Sequence, residues 1–147
     1  MLRISVDCDP SLKAPKKKYV KEVIIKTLKE KEISDCDISI IFGKDKLLSE
    51  LKNEFFNKNQ LTDVIAFRLN DYNLPKVEGE LYISLPRAEE NSKTYKEPFT
   101  KEVSRLIIHG CLHLLGFDDD TKMNKNRMTD LENKYLSTFD FHKIFEE

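Results

Sequence analysis

Leu2, Ile4 and Val6 alternate with Arg3, Ser5 and Asp7, the period-two signature of a strand with one face buried. Beyond Pro10 and Pro15 the period lengthens: Val20, Val23, Ile24, Thr27 and Leu28 recur at helical spacing among lysines, predicting an amphipathic helix. Ile38, Ile40 and Phe42 restore the alternation of a strand that Gly43 closes, and Leu47, Leu48, Leu51 and Phe55 mark a second helix fading into the polar run 57–60. Two further strands are expected. Thr62 to Leu69 sets Ile65, Phe67 and Leu69 on one face and Val64 and Ala66 on the other, and Glu80 to Leu85 alternates again after a loop holding Pro75 and Gly79.

From Pro86 the pattern is helical. Arg87 to Tyr95 forms a short helix, and Thr100 is positioned to cap a strong one carrying Val103, Leu106, Ile107 and Leu114. Gly116 ends that helix in the left-handed conformation that glycine tolerates best, and Asp120 or Thr121 caps a last helix burying Met128, Leu131 and Tyr135. Strands in the first half and helices between and after them predict an α+β fold, a small mixed four-stranded sheet packed with helices.

Length and charge narrow this picture. The 147 residues fit a single domain, 1–147, large enough to fold without disulfide staples. Cys8, Cys36 and Cys111 form no CxxC pair or secreted-type framework, which suits a reducing compartment. The start lacks a leader pattern and no apolar run approaches a membrane span, so a cytoplasmic protein with no membrane association is expected. Charged residues reach 35%, yet 25 basic against 26 acidic leave a formal charge of −1, excluding a uniformly cationic nucleic-acid binder but not a local basic face.

Candidate chemistry concentrates in HGCLHLLGFDD, residues 109–119. Two histidines four apart on a helix differ by about 40° of rotation and about 6 Å of rise, so His109 and His113 can converge on one ion. Gly116 allows a sharp turn after them, and Asp119 can fold back as a third ligand, completing a usual catalytic zinc set with an open fourth position. Asp118 and Asp120 compete for that place, and Asp120 suits an N-cap better. The alternative is a helix end where two histidines meet the dipole and the aspartates cap the next helix. Cys111 points away from the histidines and is expected as a buried thiol, while His142 in the charged tail is expected to be solvated. Helical zinc peptidases carry a glutamate base directly after the first histidine; here that residue is Gly110, which counts against peptide hydrolysis and leaves phosphodiesters as better suited electrophiles.

These residues resemble the YbeY family of bacterial single-strand-specific endoribonucleases. The family signature HGxLHLxGYDH is similar to HGCLHLLGFDD, with Arg105, Leu106 and Ile108 resembling its lead; Leu61 to Phe67 resembles PTDVLSF, and Gly79 to Ile83 resembles the GDIVI strand. The resemblance implies a zincin-like, metal-dependent hydrolase with the metal-binding helix near the C-terminus. It would cut single-stranded ribosomal RNA in small-subunit 3′ end processing and ribosome quality control, with the small subunit and its assembly factors as partners. One zinc ion would be held by His109, His113 and Asp119, with Arg105 also in the catalytic set. Two departures stand out. The family's third histidine falls on Asp119, which adds negative charge to the site. Phe56 replaces a family arginine thought to hold the RNA phosphate, so Lys58, Arg68 and Arg105 become candidates for that contact, each with the plainer reading of a surface cation. The lysines at 13, 16, 17, 18 and 21 could form a phosphate-facing stripe or a solvated face, and Tyr72, Tyr82 and Phe117 could stack bases or sit in the core. A ribosome-docking metalloprotein without catalysis and a minimal zinc peptidase are the competing readings.

Overall fold

The computed structural model describes residues 1–145. Four strands, β1 (Leu2–Cys8), β2 (Asp35–Gly43), β3 (Val64–Arg68) and β4 (Lys76–Ser84), form one sheet in the order β1-β2-β4-β3. The first two pairings are parallel and β3 with β4 is antiparallel, so the sheet is mixed. Five helices accompany it: α1 (Lys17–Leu28), α2 (Asp45–Phe56), α3 (Leu85–Tyr95), α4 (Phe99–Leu114) and α5 (Lys122–Leu136). The expected α+β architecture is the one observed.

The register puts Ile4 beside Ile38 and Val6 beside Ile40, and carries the same face on to Leu81, Ala66, Ile83 and Val64. That face is covered by α4, whose residues are buried nearly all round, as expected of a helix wrapped on several sides by other elements. Beyond its first turn only every fourth side chain escapes: Arg105, His109 and His113, in line with Lys101, are half-buried between buried neighbours. The opposite face is polar towards β1 and is covered at its other end by α2, where Phe55 and Phe56 pack on Phe67 of β3.

Boundaries differ from the periodicity in instructive ways. Gly79 lies inside β4 and not in the preceding loop; a Cβ there would stand 2.7 Å from Leu114 Cδ2, so its absence lets the end of α4 approach the sheet. Leu85 opens α3 and does not end the strand, because the Ser84 hydroxyl accepts from the Arg87 backbone N–H at 3.1 Å. Thr100 does not cap α4: Pro98 holds the N-cap position, and Thr100 lies within the first turn. At α5 the cap is Thr121, whose hydroxyl accepts from the Asn124 N–H, and Asp120 instead accepts from the Asn124 side chain. Gly116 takes the left-handed conformation predicted for it, φ +97°. Its N–H reaches the His113 carbonyl and that of Phe117 reaches Leu112, closing α4 in a Schellman turn.

Among the described residues no helix is long and apolar enough to cross a membrane.

Candidate metal centre

Helix periodicity brings the two imidazoles together and the Schellman turn returns the chain to them. His109 Nε2 and His113 Nε2 are 3.1 Å apart, and Asp119 Oδ2 lies 3.4 Å from the first and 3.7 Å from the second. A tetrahedral zinc site with ligand bonds of about 2.0–2.1 Å has edges of about 3.3–3.4 Å, which these distances bracket. Two imidazole nitrogens and a carboxylate oxygen are also the donor types zinc takes in catalytic sites, so these residues fit the ion. The competition among the aspartates is resolved by the turn: Asp118 is exposed, Asp120 serves α5, and Asp119 points back to the histidines.

Behind the ligands stands a carboxylate that periodicity did not single out. Glu132 of α5, only 6% exposed, places Oε2 2.7 Å from His109 Nδ1 and accepts from Arg105 Nη1 through Oε1 at 3.1 Å. With Nδ1 donating to this carboxylate, the lone pair of His109 is left on Nε2, facing Asp119 and His113. Burial opposes a charge on His109, but the hydrogen bond and charge of Glu132 outweigh it and raise its pKa. His113 shifts the other way, lowered first by burial and then by the neighbouring His109. A polar chain continues from Arg105, whose Nε is 3.7 Å from Glu102, to Asn91, which donates to both Glu102 and Asp63. Glu132 shares the stripe of Met128 and Tyr135, and a carboxylate on a buried stripe is the signal in the sequence that could have found it.

The donor atoms open into a cleft of about 360 Å³, lined also by Lys52, Phe56, Asp63, Tyr72 and Asp118. The phosphate candidates fall elsewhere. Arg68 is a structural clamp: its guanidinium donates to the carbonyls of Leu114, Asp71 and Lys76 and to the Asn70 side chain. Arg105 lies against Glu132, and neither it nor Lys58 lines the cleft. The lysines of α1 are likewise absent from it; Lys21 sits by β1, the opposite edge of the sheet from β3. Of the aromatic candidates Tyr72 lines the cleft, Tyr82 packs on Phe67, and Phe117 is buried between the cations of Lys31 and Arg127. His142 is exposed as expected, with Nδ1 3.5 Å from Thr100 Oγ1. Cys111 is fully buried, and burial pushes its thiol pKa far up.

Gly110 has a structural reason independent of chemistry. A Cβ there would lie 2.8 Å from Leu81 Cδ2 and 3.2 Å from Val64 Cγ2, so this position faces the sheet and not the cleft. No carboxylate base could serve the metal from it.

Comparison with known proteins agrees with this geometry. The family model for Endoribonuclease YbeY matches residues 7–140. An Endoribonuclease YbeY of Chloroherpeton thalassium is 38% identical over 106 residues, covering 72% of this chain and 74% of its own. That of Amoebophilus asiaticus is 31% identical over 128 residues, covering 87% and 86%. A solution structure of a Thermotoga maritima protein superposes with a TM-score of 0.61 at 28% identity, over 91% of this chain and 87% of that one. With the fold, the motif and these relatives in agreement, the chain belongs to the YbeY family of endoribonucleases.

Proposed function

We propose that the protein is a zinc-dependent endoribonuclease that cuts single-stranded ribosomal RNA in the cytoplasm, acting in 3′ end processing of the small-subunit RNA and in ribosome quality control. Small-subunit assembly intermediates and their assembly factors are its partners in this reading. The observation that carries it is the convergence of His109 Nε2, His113 Nε2 and Asp119 Oδ2 at an open cleft, in a chain of an endoribonuclease family.

When bound, zinc supplies Lewis-acid polarisation of the scissile phosphate and activation of the attacking oxygen. The chain does the rest. His109 and His113 present neutral nitrogens on a rigid helix, Asp119 contributes a compensating negative charge, and Glu132 fixes the ring of His109. Arg105 acts through Glu132, holding its second oxygen, and is a positioning residue in this reading.

The test pairs metal quantification on natively purified protein with a chelator-controlled assay on unstructured RNA. About one zinc per chain is expected, with cleavage lost on chelation and in His109→Ala, and stoichiometric metal lost in His113→Ala with the fold retained. Phe56 in the cleft, at the place of the arginine in the family pattern, favours one competing reading, a ribosome-docking metalloprotein. Metal-replete protein that leaves RNA uncut would select it.

A further inference from the structure

The cleft has an electrostatic gap. Asp63, Asp118 and Asp119 line it, while the cations expected to hold a phosphate lie outside: Arg68 is bound to carbonyls and Arg105 to Glu132. Among the described residues the lining holds no arginine and one lysine, Lys52.

Lys52 lies one helical turn before Phe56 on α2, so the two share a face. Its Nζ stands 4.6 Å from the centroid of the Phe56 ring, and no carboxylate pairs with it among the described residues. Phe56 is backed by Phe67, ring to ring at 5.9 Å with planes 15° apart, yet keeps 43% of its surface exposed. The helix beneath is pinned at its start, where Asp45 accepts from Ser84 Oγ at 2.7 Å and from Arg87 Nη2 at 3.1 Å, and by Leu48, fully buried. A half-buried lysine whose ammonium lies over a supported, partly exposed aromatic ring, and whose flexible stem lets it swing from that ring to an anion and uncover the face, suits a chemical unit that alternates anion and flat ring, as a single-stranded polynucleotide does. A base already paired in a duplex has no free face to lay on the phenyl ring.

We propose that Lys52 is the phosphate-contacting cation of the cleft and that Phe56 is the platform on which an adjacent unpaired base stacks, so that α2 holds one nucleotide beside the metal ligands. This rests on the endoribonuclease reading and names the residues that take over the missing arginine's task. The replacement divides the work: a point charge binds the phosphate, and the position that lost its charge binds the base.

The test measures fluorescence anisotropy of a fluorescein-labelled, single-stranded 2′-O-methyl oligoribonucleotide on the zinc-loaded full chain across a salt series. Cleavage of the unmodified oligonucleotide and zinc content are followed in parallel. For Lys52→Gln, weaker binding is expected, with the slope of log K against log salt shallower by about 0.7, the release expected from one single-strand phosphate contact. Lys52→Arg should restore that slope. Phe56→Ala should weaken binding about 5- to 150-fold with the slope unchanged, the range for loss of one base stack. Zinc content should stay at the wild-type value in all three variants, and circular dichroism should show the fold retained, with a lower melting temperature expected for Phe56→Ala alone because it loses its packing on Phe67. Wild-type affinity and slope in Lys52→Gln, with wild-type protein still binding and cutting RNA, would overturn this assignment and leave the endoribonuclease reading standing. Wild-type protein that neither binds nor cuts would overturn both.

Discussion

Replacing Glu132 with glutamine isolates what this residue does for the metal centre. Both carboxylate oxygens are engaged by donors, Oε2 by His109 Nδ1 at 2.7 Å and Oε1 by Arg105 Nη1 at 3.1 Å, and the side chain is 8% exposed, so water cannot stand in freely. A glutamine of the same size has one acceptor oxygen. If that oxygen faces His109, the amide N–H₂ confronts the guanidinium of Arg105; if it faces Arg105, the amide donates to Nδ1 and favours the tautomer with its proton on Nε2. That proton occupies the lone pair the metal needs. Loss of such a supporting partner typically costs about 10- to 100-fold in metal affinity, equivalent to about 1.4–2.7 kcal/mol. Zinc competition against a chromophoric chelator would measure it, with circular dichroism and thermal melting reporting on the fold. Glu132→Gln binding zinc as tightly as the wild type, with the fold intact, would refute the assigned role of Glu132.

Three other outcomes follow from the same geometry. Gly110→Val should destabilise the protein by about 1–3 kcal/mol in urea unfolding, because its added atoms enter the gap to Leu81 and Val64. Gly116→Ala should cost about 1–2 kcal/mol for a side chain at φ +97° and also weaken zinc binding by shifting Asp119; a stability loss with unchanged zinc affinity would separate the turn from the site. The Tyr135 hydroxyl donates to Glu30 at 2.5 Å and, with Lys134, holds that carboxyl below its usual pKa despite its burial. A lowered carboxyl stabilises the fold above its unfolded pKa and loses that contribution as pH falls through the folded value. The melting-temperature difference between wild type and Tyr135→Phe should therefore be full near neutral pH and shrink as acid protonates Glu30; a constant difference would contradict the linkage.

Much of the fold was legible because helices and strands announce themselves through short-range periodicity. The alternation in β1 and β2 placed the right side chains on the core face, and the every-fourth pattern of α4 placed His109 above His113. Even the turn at Gly116 was readable, since left-handed backbone favours glycine for local steric reasons. What failed locally were end effects: Thr100 has the chemistry of a cap, yet the N-cap lies two residues earlier, at Pro98.

By itself, then, the sequence determined the element types, the α+β class and two of the three converging donors, all consequences of backbone geometry within a few residues. The tertiary structure decided everything that depends on which distant surfaces meet. It chose Asp119 over its neighbours, because the Schellman turn sets the direction in which the chain returns. It placed Glu132 behind His109, 23 residues away in sequence, because α5 docks beside α4. It also spent Arg68 on backbone carbonyls and left Lys52 facing the cleft. A residue's type is a local property, but whether its charge is neutralised, buried or free to meet a ligand depends on packing, and packing brings together positions that no short-range pattern connects.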